Sequence, residues 1–190
     1  MTKRVTGMQQ NTTLVLGGAS SGKSDLAEKI CISSHLPRTY IATAQAFDDE
    51  MRDKIVQHQC DRGTDWTTHE APFDVAQTLD AIPKGQIVLL DCATLWLTNH
   101  LLAAHDITTQ TDALLQALSR CASPVVIVSN EVGQGIVPEN KLARQFRIEQ
   151  GRLNRRLAAH VQCVVGVMAG LPFVLKGPLP SALTQKSDGL

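Results

Sequence analysis

Residues 12–24, TTLVLGGASSGKS, constrain this chain more than any other stretch. A short β-branched run ends at Gly17 and passes directly into GGASSGKS, a GxxxxGKS spacing. Glycines in such a loop let successive backbone N–H groups turn inward around phosphate oxygens, at the positive end of the helix that follows. Gly17, Gly18, Ala19, Ser20, Ser21 and Gly22 are therefore expected to cradle phosphates. Lys23 is expected to reach the terminal phosphates as a catalytic cation, and Ser24 to ligate Mg²⁺ through its hydroxyl. A glycine turn with a solvated lysine is the plainer alternative; placement between a strand and a helix argues against it.

A loop of this kind needs a sheet behind it, and the rest of the chain supplies one. β-branched or apolar runs recur at 38–43, 86–92, 124–132 and 161–170, separated by helical patterns over 24–34, 48–60, 73–81, 94–104, 111–121 and 141–160. These runs are apolar on both faces, which fits strands of a parallel sheet covered by helices. The class is α/β. LPFVLK (171–176) is expected to add a last edge strand through a tight reversal at Gly170-Leu171-Pro172. No repeat or long linker divides the chain, so one domain is expected over 12–177. Residues 1–11 read as a disordered extension and 178–190 as a flexible tail.

Lysine plus arginine balance aspartate plus glutamate at 18 each, so no bulk field favours nucleic acid or an acidic membrane. Cys31, Cys60, Cys92, Cys121 and Cys163 have neither a disulfide-framework nor a CxxC spacing and read as reduced packing residues. No apolar run approaches the roughly 18 residues of a membrane helix. A soluble cytoplasmic protein is expected, with small molecules or protein partners as the classes left open.

Such an enzyme also needs an acid near the metal, at the end of another strand. IVLLD supplies Asp91 and VVIVSNE supplies Glu131. Asp91 ends the cleaner apolar strand and is the preferred metal-side carboxylate, with Glu131 behind it or on the substrate side; either acid can instead cap the next helix. No NKxD pattern marks the base. Arg144, Arg147, Arg152, Arg155 and Arg156 crowd the late helix, and none is singled out as catalytic.

The segment DDEMRDKIVQHQCDRG (48–63) poses a separate question. Met51, Ile55 and His58 share one helical face, while Asp48/Arg52 and Glu50/Lys54 form i,i+4 pairs elsewhere. On helical spacing alone, His58 is a buried histidine satisfied by one hydrogen bond or a histidine held for chemistry.

Taken in order, GGASSGKS, YIATAQAFDDEM, KIVQHQCDRGTDWTTHE, LLDCATLWLTN, VSNEVGQGIVPEN and LARQFRIEQGRLNRRLA resemble the bifunctional adenosylcobinamide kinase/adenosylcobinamide-phosphate guanylyltransferases of cobalamin biosynthesis. The resemblance covers residues from about 13 to 176 and includes an HxxxRxxxWxTxE block at His58, Arg62, Trp66, Thr68 and Glu70. It implies a P-loop NTPase with a RecA-like, mostly parallel sheet, helices on both faces, and assembly as a homotrimer. It implies two reactions: phosphorylation of adenosylcobinamide from ATP or GTP, then transfer of GMP from GTP to that phosphate. By position in the block, His58 is the residue that carries GMP, and Arg62 and Glu70 join Asp91 and the loop as nucleotide-binding residues. One departure is Ser20, where the family loop usually has arginine. A P-loop kinase for another small metabolite, without covalent guanylylation, and a nucleotide-binding regulatory module are the competing readings.

Overall fold

The structure is a computed structural model that describes residues 12–45, 65–178 and 180. The helix expected over 48–60, with His58, lies outside the described residues, as do Arg62, the extension at 1–11 and residues 181–190 of the tail. The described elements are β1 (Thr12–Gly17), α1 (Lys23–Ser33), β2 (Arg38–Ala42), β3 (Trp66–Glu70), α2 (Val75–Ala81), β4 (Ile87–Asp91), α3 (Ala93–Leu102), α4 (Ile107–Arg120), β5 (Val125–Asn130), α5 (Lys141–His160), β6 (Cys163–Met168) and β7 (Leu171–Lys176).

The strands form one sheet in the order β3-β2-β4-β5-β1-β6-β7, and all neighbours are parallel except β6 and β7. As the apolar runs predict, the central strands are buried on both faces. Leu14, Ile41, Val88, Leu90, Val125 and Ile127 pack on one side against Val75 and Leu79 of α2, Trp96 and Leu97 of α3, Leu114 of α4 and Leu153 of α5. Val15, Leu89, Val126, Val128 and Val165 pack on the other against Leu26, Ala27 and Ile30 of α1. The α/β single domain with helices on both faces is thus the observed architecture. No described helix is long and apolar enough to cross a membrane.

Three local features differ from the sequence reading. WTTHE, read only as part of a motif, forms β3 along the sheet edge, in parallel register from Arg38↔Trp66 to Ala42↔Glu70. It carries no buried face to betray it. Arg38 organises its start: the guanidinium binds Asp65 at 2.9 Å and lies 5.4 Å from the centre of the Trp66 ring, which Tyr40 meets edge-on at 6.1 Å. Helix α4 begins four residues early, because Asp106 caps it by accepting from the Thr108 N–H (3.1 Å) and the Thr109 hydroxyl (2.5 Å). The final reversal is a two-residue turn at Ala169 (φ 51°) and Gly170 (φ 77°), so β7 already starts at Leu171. Two successive positive φ values match the twist of a two-residue hairpin.

The antiparallel strand is held at both ends. Within β6 stands Gly166, where a Cβ would lie 2.3 Å from the Phe173 ring, so only glycine lets that ring lie on the strand. At the far end, the Lys176 ammonium donates to the carbonyls of Ala158 (2.8 Å), Ala159 (3.1 Å) and Val161 (2.6 Å) at the end of α5. These are carbonyls that a helix terminus leaves without intrahelical partners.

Candidate active site

The loop between β1 and α1 has the geometry that its sequence demands. Ser20 sits on the exposed crest at φ 53°, and Gly22 takes the N-cap position of α1 at φ 89°. No side chain caps α1, so the N–H groups of its first turn are left to the concavity of the loop, where an anion is favoured. Gly17 is dictated by space: a Cβ there would stand 2.3 Å from the Ser21 hydroxyl and 2.8 Å from the Val167 carbonyl. The loop is braced from the side by the β6–β7 turn, whose Gly170 N–H donates to the Ser21 carbonyl (2.9 Å). The Lys23 ammonium donates to the Gly18 carbonyl at 3.1 Å, which holds the cation over the loop. Gly17 to Ser21, Glu131, Gln134, Met168 and Phe173 line an open cavity of about 590 Å³.

Sheet order decides what faces this loop. β5 lies between β1 and β4, so Asp91 at the tip of β4 is two strands from Gly17. Tyr40 donates its hydroxyl to Oδ2 of Asp91 at 3.2 Å. Both lie on the α1 side of the sheet, since Leu89, two residues before Asp91, packs there. Asp91 also stands beside Cys92, whose thiol is pushed up to about 11, first by burial and then by that carboxylate. Glu131 follows β5; its N–H donates to the Gly17 carbonyl (3.0 Å) and its Oε1 accepts from the Gly133 N–H (2.5 Å), so its carboxylate turns into its own loop.

Glu70 ends β3 at the sheet edge, four strand spacings from β1, or about 19 Å. The structure thus brings the phosphate loop, Lys23, Ser24 and Asp91 to one end of the sheet and sets Glu70 well to the side. Of the late-helix arginines, Arg147 donates to the Gly133 carbonyl and Arg144 to those of Pro138 and Glu139, bracing the 131–140 loop; Arg152 pairs with Glu149 and Arg156 with Asp112.

Two residues escape sequence reasoning. The Asn130 Oδ1 and the Ser21 hydroxyl are buried with no hydrogen-bond partner among the described residues. Polar residues closing an apolar strand, SN in VVIVSNE, were the available clue. The second is Asn99 of α3, whose amide donates to the carbonyls of Thr43 (2.8 Å) and Pro72 (2.9 Å), joining the exits of β2 and β3.

Among the described residues, no group of three histidine, cysteine, aspartate or glutamate side chains could hold a metal alone. The oxygens at this end include the Ser24 hydroxyl, the Asp91 carboxylate and the Asn130 Oδ1, which has no partner among the described residues. A hard-oxygen set with few protein ligands fits Mg²⁺, which keeps several waters and shares its sphere with phosphates. An acceptor such as the Asn130 Oδ1 suits those waters, which are donors.

Residues 13–175 match the family model described as cobinamide kinase / cobinamide phosphate guanyltransferase. The bifunctional adenosylcobalamin biosynthesis protein CobP of Pseudomonas aeruginosa is 43% identical over 167 residues, covering 86% of this chain and 96% of that protein. The CobU protein of the same description from Salmonella typhimurium is 41% identical over 180 residues, covering 86% and 98%. Among solved structures, PH0250 of Pyrococcus horikoshii OT3 superposes with a TM-score of 0.52 at 12% identity, covering 89% of this chain and 87% of that one; the likeness is one of fold.

Proposed function

Since the chain belongs to the cobinamide kinase / cobinamide phosphate guanyltransferase family and is a bifunctional enzyme of adenosylcobalamin biosynthesis, we propose that its one phosphate loop serves both reactions and that GMP passes through His58. The observation that supports shared use is the single loop at 17–24, with Lys23 held over it and the uncapped start of α1 beneath it; the HxxxRxxxWxTxE block supports the role of His58.

In the kinase step, the hydroxyl of the aminopropanol arm of adenosylcobinamide attacks the γ-phosphorus of ATP or GTP. The bond from that phosphorus to the bridging oxygen breaks, the nucleoside diphosphate leaves with the electron pair, and the hydroxyl proton is lost. Lys23 and the N–H groups of α1 neutralise charge that builds on the terminal phosphates. Ser24 and Asp91 would hold Mg²⁺, which when bound would supply further neutralisation of phosphate charge.

In the transferase step, a ring nitrogen of His58 forms a bond to the α-phosphorus of GTP, and pyrophosphate departs with the bridging oxygen. Histidine with a pKa near 6.5 is largely neutral at pH 7, so its ring nitrogen offers an uncharged lone pair to an anionic centre. A phosphate oxygen of adenosylcobinamide phosphate then attacks the same phosphorus, breaks the P–N bond, restores His58 and gives adenosyl-GDP-cobinamide. Two attacks, one by a neutral nucleophile, replace a direct reaction between two anions. Glu70 is assigned to the nucleoside end of GTP, because it lies about 19 Å along the sheet from the phosphate loop; Arg62 is assigned to nucleotide binding by its place in the HxxxRxxxWxTxE block.

The test is incubation with GTP labelled at the α-phosphate, followed by denaturation in alkali. Label that stays on the protein and is released by acid indicates the phosphoramidate, and His58→Ala should abolish it. A wild type that phosphorylates adenosylcobinamide yet retains no label would sink the covalent route. We further read the enzyme as cytoplasmic, where its nucleotide substrates are held, and as a homotrimer. Exposed apolar side chains on β7 and on the loop before α5, among them Leu171, Leu175, Ile136 and Val137, favour a partner surface. Light scattering at micromolar concentration checks the number of subunits.

A further inference from the structure

The least explained group at the sheet tip is Asn130, the last residue of β5. Its backbone is fully engaged: its N–H donates to the Thr94 hydroxyl (2.7 Å), and its carbonyl accepts from the Asn154 amide (2.9 Å). Its side-chain Oδ1 is buried with no partner among the described residues. A buried acceptor left unmet costs roughly 1–3 kcal/mol, so such an atom calls for an explanation.

Strand alternation fixes where that side chain lies. Val126 and Val128 pack on the α1 side, whereas Ser129 bonds to Asn154 of α5 on the opposite side. Asn130 therefore projects to the α1 side. Its register partner on β1 is Gly17, which has no side chain, and the Ser21 hydroxyl fills the place that a Gly17 Cβ would take. Neighbouring strands lie about 4.8 Å apart, so Asn130 and the Ser21 hydroxyl occupy adjacent strand positions on the same face of the sheet. On Asn130's other flank is β4, where Asp91 pairs with Val128, two residues earlier along β5. Asn130 thus stands between Asp91 and the loop that leads to Ser24, and it reaches further toward the substrate end than the register of Asp91.

We propose that Asn130 is a positioning residue of the nucleotide–metal site, its Oδ1 accepting a hydrogen bond from a water in the shell of the cation that Ser24 and Asp91 hold. An amide oxygen suits this task because it accepts without adding a charge that would repel phosphate. The proposal rests on the reading of 17–24 as the nucleotide site and does not depend on the identity of the acceptor substrate.

The test uses Mn²⁺, whose free aquo ion gives an electron paramagnetic resonance signal, titrated into the full-length protein with saturating GTP. Asn130→Ala should weaken Mn²⁺ binding about tenfold, the loss of one strong hydrogen bond, while GTP affinity measured in EDTA stays within about twofold of wild type. Asn130→Asp should retain Mn²⁺ affinity. Gln150→Leu, which removes the unpartnered Oε1 on the opposite face of the sheet, should leave it unchanged. Wild-type Mn²⁺ affinity in Asn130→Ala overturns the proposal, and so does an equal loss of GTP binding in EDTA, which would mark Asn130 as a support of the loop alone. A wild type that fails to bind Mn²⁺·GTP overturns the nucleotide-site reading itself. Binding without transfer to adenosylcobinamide would count against the proposed reactions and leave Asn130 in place.

Discussion

Ser129 and Asn130 are consecutive residues at one strand tip, yet they face opposite layers with opposite hydrogen-bond outcomes. On the α5 side, Ser129 donates to Asn154 Oδ1 (2.7 Å), and the Gln150 amide donates to both Ser129 (2.9 Å) and Asn154 (3.0 Å). That cluster ties α5 to β5, reaches Thr94 of α3, and leaves only the Gln150 Oε1 over among its described atoms. On the α1 side, the Asn130 Oδ1 and the Ser21 hydroxyl both lack partners among the described residues. Polar groups that bond to one another hold elements together, whereas polar groups left open beside a phosphate loop belong to its chemistry. One strand supplies both because its side chains alternate.

The largest expected effect falls on the open side. Lys23→Ala should lower both the kinase and the guanylyl-transfer rates by on the order of 10²–10³-fold, read in separate assays with adenosylcobinamide and its phosphate. Thermal stability should hold, because the bond that Lys23 makes among the described residues, to the Gly18 carbonyl, is exposed. Equal loss of melting temperature and activity would erase the distinction between the two sides. Asn154→Leu tests the closed side: stranding Ser129 and Gln150 should cost about 1–3 kcal/mol in chemical denaturation, with nucleotide affinity retained. Gly17→Ala sits where the sides meet. Its Cβ would displace the Ser21 hydroxyl, so about 1–3 kcal/mol of stability should be lost together with phosphate binding.

Smaller effects probe the helices of the closed layer. Asn140 caps α5 by accepting from Leu142 N–H (2.8 Å) and Ala143 N–H (3.2 Å), and Asn140→Ala should cost about 1 kcal/mol with no change in metal requirement. The smallest effect is visible only against pH. His100 of α3 is buried beside His105 (Nδ1 to Nδ1, 2.9 Å) and near Asp74; burial pushes its pKa down, and the Phe73 carbonyl works against that. A histidine depressed in the fold favours the neutral ring, so its stability is present above the unfolded value of about 6.5 and is lost as pH falls toward the folded one. The melting temperature of His100→Asn should therefore fall less steeply than wild type between about pH 6.5 and 5.

The chain disclosed these regions unevenly. The phosphate loop was legible because its chemistry fixes glycine spacing, and β1, β4 and β5 because burial on both faces leaves continuous apolar runs. β3 was hidden because its exposed residues gain order from pairing with β2 and from Arg38 against Trp66. The start of α4 was masked by threonines, poor helix formers that Asp106 nonetheless caps. Asn130 was visible as a residue but not as a neighbour of Gly17, since no local pattern reports that β5 inserts between β4 and β1.

The Lys176 ammonium has a consequence for how this chain tolerates change in length. One ammonium has three protons, and three carbonyls at the end of α5 take them. The run from the turn at Ala169 and Gly170 to that residue must therefore span a set distance. A one-residue insertion or deletion within 171–176 would turn Lys176 to the other face of its strand and release the helix end. The same change after Gly177 would leave the fastening intact, so variation in length should be accepted there first.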